Sequence, residues 1–197
     1  MTMLPELSEM LDGYQRALDQ GLLESYRKKR WSRRGEFTGW LAQENLPDLT
    51  LDQSTAIFRA SGGSRAAEFK ANPIEEIRDT LDFLLYDDVK LEGRFDECAA
   101  EGGGFKLMGA GKEFSSYVLC LQDPSLFAVW NSNSGRVLRR TGILKTSMRT
   151  GPIGIQYLDL LDCLARLRYS LGFPDYMALD AFSYVMARRG SPAKANG

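Results

Sequence analysis

The chain contains no histidine among its 197 residues. That absence removes Ser–His and Cys–His nucleophile–base pairs, zinc hydrolases built on a His-Glu-x-x-His helix, and the zinc deaminases. Cysteine is scarce: Cys98, Cys120 and Cys163 are far apart and odd in number. Cys120 and Cys163 sit in apolar stretches, where a cysteine serves as a small hydrophobe. Neither a disulfide framework nor a Cys₄ metal or iron–sulfur site is expected, and the expected compartment is the reducing cytoplasm. No apolar run approaches membrane-spanning length, and Met1–Met10 carries Glu6 and Glu9 with no basic leader. Neither a membrane span nor a signal peptide is therefore expected. Any chemistry must run on carboxylates, amides, hydroxyls, lysine or a bound cation.

Acidic residues are missing from one long stretch. Between Pro124 and Leu158 there is no Asp or Glu, while Arg136, Arg139, Arg140, Lys145 and Arg149 all fall there. A second basic run is Arg27-Lys28-Lys29-Arg30-Trp31-Ser32-Arg33-Arg34, and residues 44–101 are rich in acids. The net charge of −1 thus hides a segregation. Local potential rather than the total attracts phosphates, so a near-neutral protein with a one-sided field can bind a polyanion. A solvated helix face or loop explains any single run equally well.

Period-two alternation is almost absent, and Phe127-Ala128-Val129-Trp130 is the best candidate for a short extended piece. Helical spacing dominates instead. Leu7, Leu11, Tyr14, Leu18 and Leu22 predict a first helix, and residues 36–43 a short second one. Thr50-Leu51-Asp52-Gln53 reads as a capping box opening a helix that stops at Gly62-Gly63. Asn72-Pro73 reads as an N-cap and first-turn proline, followed by Ile74, Ile77, Leu81, Leu84 and Leu85. Residues 155–171 predict a long helix closed by Gly172, and residues 175–188 a last one. The expectation is an all-α, compact two-lobed helical domain over residues 1–190, with a flexible tail over 191–197.

The segment carrying chemistry is Gly104-Phe105-Lys106-Leu107-Met108-Gly109-Ala110-Gly111-Lys112-Glu113, leading into an apolar helix. Gly-x-Gly before a helix predicts a tight hairpin, with Gly109 and Gly111 at positive φ and the helix-start amides pointing outward together. Such a nest binds a phosphate, often helped by a monovalent cation, without reading sequence. A packed turn would show the same spacing. After it come Asp123-Pro124, then Phe127-Ala128-Val129-Trp130-Asn131-Ser132, then Arg136-Val137-Leu138-Arg139-Arg140-Thr141-Gly142.

This order resembles the DNA glycosylases of the helix–hairpin–helix/Gly-Pro-Asp superfamily. Their pattern is Leu-Pro-Gly-Val-Gly-x-x-x-Ala, an apolar helix, Val-Asp-x-x-x-x-Arg-Val, and a short basic helix ending in glycine. The resemblance covers residues 104–142, and extends to small standalone domains found in phage-defence genes. It implies a helix–hairpin–helix element that holds duplex DNA through Lys106, Gly109, Gly111, Lys112, Arg136, Arg139 and Arg140. A base, modified rather than ordinary, would flip into a pocket near Trp130, Tyr117 and Phe105, with Tyr26 a further stacking candidate. N-glycosidic hydrolysis would then leave an abasic site. No metal and no nucleotide cofactor is implied. The departures are specific. Met108 replaces the hairpin proline, and Gly102-Gly103-Gly104 interrupts the first helix of the pair. The catalytic aspartate falls on Asn131, counted back from Arg136. The Schiff-base lysine of lyase members falls on or next to Glu113, with Lys112 one residue before.

Two readings of Asn131 follow. In one it orients the attacking water by hydrogen bonding, as in unrelated uracil- and thymine-type glycosylases, with Asp180 and Glu113 as the helping acids. In the other it only caps the next helix. The corresponding alternatives for the whole protein are a glycosylase, a catalytically silent DNA reader serving a partner nuclease or ATPase, and an interaction domain whose acidic 44–101 surface docks a basic partner.

Overall fold

The computed structural model describes residues 5–144 and 150–189, with the side chains of Pro5, Glu6 and Arg189 left aside. Lys145, Arg149 and the expected tail at 191–197 lie outside the described residues. The architecture is all-helical, with no strand among the described residues. The helices are α1 (Pro5–Asp19), α2 (Glu24–Trp31), α3 (Arg34–Trp40), α4 (Leu51–Ala60), α5 (Ala66–Lys70) and α6 (Ile74–Tyr86). They continue with α7 (Leu91–Ala99), α8 (Lys112–Gln122), α9 (Ser132–Arg140), α10 (Ile153–Leu171) and α11 (Tyr176–Arg189). A 3₁₀ turn, Gln43–Asp48, joins α3 to α4.

One cluster of buried apolar side chains runs through the chain from Leu7 to Met186. Helix α8 is its axis: every residue from Phe114 to Leu121 is buried. A helix apolar on all sides must be enclosed, and α3, α6 and α7 pack on this one. Two helix pairs flank it, α7 against α10 and α9 against α11. The first closes tightly because Gly154 has no side chain, and a Cβ there would lie 1.9 Å from the Glu92 carbonyl oxygen. Asp96 Oδ1 accepts from the Gly154 amide at 2.8 Å, satisfying one of the donors at the α10 start. Phe95 stacks on Tyr157 at 4.0 Å, and the Tyr157 hydroxyl donates to the Ala128 carbonyl.

The Thr50–Gln53 capping box forms as its spacing requires, and α10 ends on Gly172 at φ +69°. Three expectations change. The extended piece at 127–130 is irregular backbone, not a strand, tied down by the Tyr157 hydroxyl and by a Trp130 amide that donates to Ser116 Oγ. The helix expected across Leu7–Leu22 ends at Asp19, because Gly21 takes φ +69° and turns the chain into α2. Asn72 does not cap α6, where Pro73 is the N-cap residue. Its side chain instead brackets Met108, accepting from the Met108 amide at 2.8 Å and donating to the Met108 carbonyl at 3.1 Å.

Candidate functional site

Helices α7 and α8 are joined by residues 100–111, and the glycine turn lies at the end of that connection. Gly109 has φ +77°, a conformation that favours glycine, and its Cα is pressed on α5. A Cβ there would lie 2.8 Å from the Arg65 carbonyl oxygen and 2.9 Å from the Phe69 nitrogen. Gly111 differs from expectation: φ −172° and ψ −164° are extended backbone, not the left-handed region. The Met108 amide is spent on Asn72 and the Ala110 amide on the Leu107 carbonyl. What the turn presents is therefore the first turn of α8, whose amides have no partner inside the helix. Lys112 and Glu113 stand there.

Glu113 opens onto a buried polar cluster. Arg30, 5% exposed, lies between two carboxylates. Its Nη2 is 3.4 Å from Glu113 Oε1, and its Nη1 donates to the Ser61 carbonyl at 2.8 Å. Its Nε lies 3.1 Å from Asp180 Oδ2, an ion pair that does not align as a hydrogen bond. Asp180 Oδ2 also accepts from the Tyr26 hydroxyl at 2.7 Å and Trp31 Nε1 at 3.2 Å, and Oδ1 accepts from Asn131 Nδ2 at 3.1 Å. The Tyr117 hydroxyl donates to the Arg30 carbonyl. The guanidinium lies within 6 Å of the ring centres of Tyr26, Trp31 and Tyr117 (5.8, 5.7 and 5.1 Å), a range in which ring faces attract cations. Burial works against the Arg30 charge, yet Asp180, Tyr26 and Glu113 together hold its pKa above the ordinary guanidinium value.

Asn131, Asp180 and Glu113, chosen from sequence, thus meet in one network although they come from α8, the start of α9 and α11. Two of them are fully engaged. Asn131 Oδ1 accepts from the amides of Asn133 and Ser134, both at 2.9 Å, and Ser134 Oγ accepts from the Asn131 amide. This is a reciprocal N-cap. Asp180 receives three hydrogen bonds and an ion pair. Glu113 is different: its side chain is 40% exposed. Desolvation raises its pKa, and the Arg30 charge opposes the rise. Beside it Lys112 holds its ammonium 4.2 Å from the Trp130 ring centre, and desolvation lowers its pKa. An acid and an amine whose pKa values both move toward neutrality thus stand side by side at the mouth of a buried network.

The remaining residues separate. Arg136, Arg139 and Arg140 are exposed on α9, whose opposite face buries Ser134, Val137 and Leu138, and Arg140 also donates to the Met186 carbonyl at 3.4 Å. Lys106 is drawn across its own loop. Its ammonium donates to the Ala99 carbonyl at 3.3 Å and lies 3.6 Å from Glu101, with the side chain 15% exposed. Of the expected base-pocket residues, Tyr117 and Trp130 are buried in the core, and half-buried Phe105 stacks on Phe83 at 4.1 Å.

No family model matches the chain, and neither a curated protein nor a solved structure matches it. Arg30, Trp31 and Tyr26 are the members of the site that sequence reasoning took for something else. A signal was present: Leu23, Tyr26 and Arg30 share one helical face, so the periodicity that buries Leu23 also buries Arg30. No group of three or more metal-ligating side chains that could hold an ion occurs among the described residues. No described helix is long and apolar enough to cross a membrane.

Proposed function

We propose that this protein acts on DNA as a base-excising hydrolase of the helix–hairpin–helix glycosylase type. The observation that carries the reading is the meeting of Lys112 and Glu113 with Asn131 and Asp180. The resemblance assigns chemistry to the start of α8 and to Asn131, which are 18 residues or more apart in sequence. They adjoin in space, with Lys112 over Trp130 and Glu113 sharing Arg30 with Asp180. Residues 91–122 serve as the helix–hairpin–helix element, the first-turn amides of α8 holding a phosphate. The exposed arginines of α9 hold the adjacent backbone of a duplex whose flipped base is a modified one, of the kind phage DNA carries.

The geometry also divides the labour. Asn131 and Asp180 are positioning residues, since their acceptor atoms are occupied by the protein itself. Glu113 is the acid–base group, protonated more readily than an ordinary glutamate, and Lys112 is the amine beside it. One observation favours the second reading, a catalytically silent DNA reader: the side-chain oxygens of Asn131 and Asp180 are all engaged within the protein, so neither residue is free to orient the attacking water.

Incubation with duplexes carrying different modified bases, followed by alkaline cleavage of abasic sites, separates the two. Base excision predicts strand breaks that are lost in Glu113→Gln and Lys112→Ala. Salt-sensitive duplex binding without breaks on any substrate points to the reader. No binding even at low salt removes both readings.

A further inference from the structure

A cavity of about 420 Å³ lies between α2 and the N-terminal part of α11, and Lys112 is not among the residues lining it. Arg27, Lys28 and Trp31 form one wall, and Asp175, Met177 and Ala178 are on the other. Small-ligand pockets span about 300–1,000 Å³, so this one suits a single ring system with its sugar rather than a duplex.

Its aromatic wall is fixed in place. The Trp31 indole N–H donates to Asp180 at 3.2 Å, and the ring is backed by Tyr117 at 5.1 Å. One face is thereby spent on the core while the residue stays only half-buried and lines the groove. Facing it, Met177 offers an unbranched, adaptable thioether. The charges are asymmetric. Lys28 is exposed, and Arg27, which lines the groove, donates from its Nη2 to the Tyr14 hydroxyl at 3.1 Å. The single carboxylate, Asp175, is already accepting from the Ala178 amide at 2.8 Å. A rigid indole between two cations and an apolar wall matches one ligand chemistry: a flat π-system carrying phosphate.

We propose that the α2–α11 groove takes an unpaired nucleotide of single-stranded DNA, its base stacked on Trp31 and its phosphates met by Arg27 and Lys28. The groove shares with the excision reading only the premise that the partner is DNA. Stacking of this kind tolerates any base, because every base has a π-face, and the cations add a salt-dependent hold on the backbone.

The test compares the full-length protein on two labelled oligomers of equal length, oligo-dT and an abasic chain with the same phosphates, by fluorescence anisotropy. Stacking contributes about fivefold to a hundredfold in affinity per base, so the wild type should prefer oligo-dT by that order. Ala178→Phe fills the groove against Trp31 while keeping every hydrogen-bonding group of the Arg30–Asp180 network, and should abolish the preference, as should Trp31→Ala. Lys28→Glu should weaken both oligomers alike. Melting curves keep the comparison among folded variants, and Ala178→Phe decides the matter if Trp31→Ala fails to fold. Equal affinity for the two oligomers, a preference surviving Ala178→Phe, or no binding at low salt overturns the proposal. Excision lost in Glu113→Gln with the oligo-dT preference intact shows that the two sites stand or fall separately.

Discussion

Removing one carboxylate from the Arg30 cluster should unfold the protein far more readily than removing the other. Asp180 is 3% exposed at its side chain and holds an ion pair and three hydrogen bonds. Asp180→Asn leaves a buried guanidinium whose remaining counterion, Glu113, is half in water. It also turns an amide toward the Asn131 donor. Breaking a buried pair by removing one partner costs about 3–5 kcal/mol. For a protein of this size each kcal/mol moves the melting temperature by roughly 2–4 °C, so the drop should be about 6–20 °C. Glu113→Gln should cost about 1 kcal/mol or less, because exposed ion pairs contribute little. It also removes the repulsion between two carboxylates that face one cation. Thermal and urea melts of the two variants at neutral pH make the comparison. Equal losses, or an Asp180→Asn variant melting within a couple of degrees of wild type, would refute the assignment of Asp180 as the principal counterion.

Two further outcomes follow from the same coordinates. Burial raises the Glu113 pKa, so the folded state binds its proton more tightly than the unfolded chain does. Its contribution to stability is full below the unfolded carboxylate value of about 4.3 and is lost as pH rises through the folded value. Urea melts from acid toward neutrality should show that fall in the wild type and lack it in Glu113→Gln. Gly154→Ala should destabilise by about 1–3 kcal/mol or more through forced separation of α7 and α10, since the added carbon would meet the Glu92 backbone rather than a movable side chain. A midpoint within experimental error of wild type in denaturant melts would show that the pair can part without cost.

Elements with a local code were legible. The Thr50–Gln53 box, the Gly172 stop and the apolar stripe of α6 need only neighbours in sequence, and each forms where its spacing puts it. Asn72 shows where local reading ends. Its type and its place before proline suit a cap, but the Met108 backbone offers both a donor and an acceptor from 36 residues away, and the side chain takes that pair instead. The site was half legible. Asn131 and Glu113 were picked out by the family pattern and Asp180 by its place in an apolar run, and the three converge. Lys106 was not, because the Ala99 carbonyl that absorbs its charge comes close only once the Gly102–Gly104 loop folds back. The arginine joining the acids lay in a run of cations that reads as a solvated face, and only its helical phase distinguished it.

The joint between α2 and α11 also governs the order in which the chain can mature. Arg30 is made early by the ribosome, but its main counterion arrives some 150 residues later, in α11. Until α11 docks, the Arg30 guanidinium has only the Ser61 carbonyl and the half-exposed Glu113 as polar partners, and the groove beside Trp31 has only one wall. Contacts of such long separation are entropically expensive to reach early. The final helix therefore acts as a latch: an unfinished or nicked chain lacking it would keep α2 hydrated and open to proteases, whereas the latched chain would not.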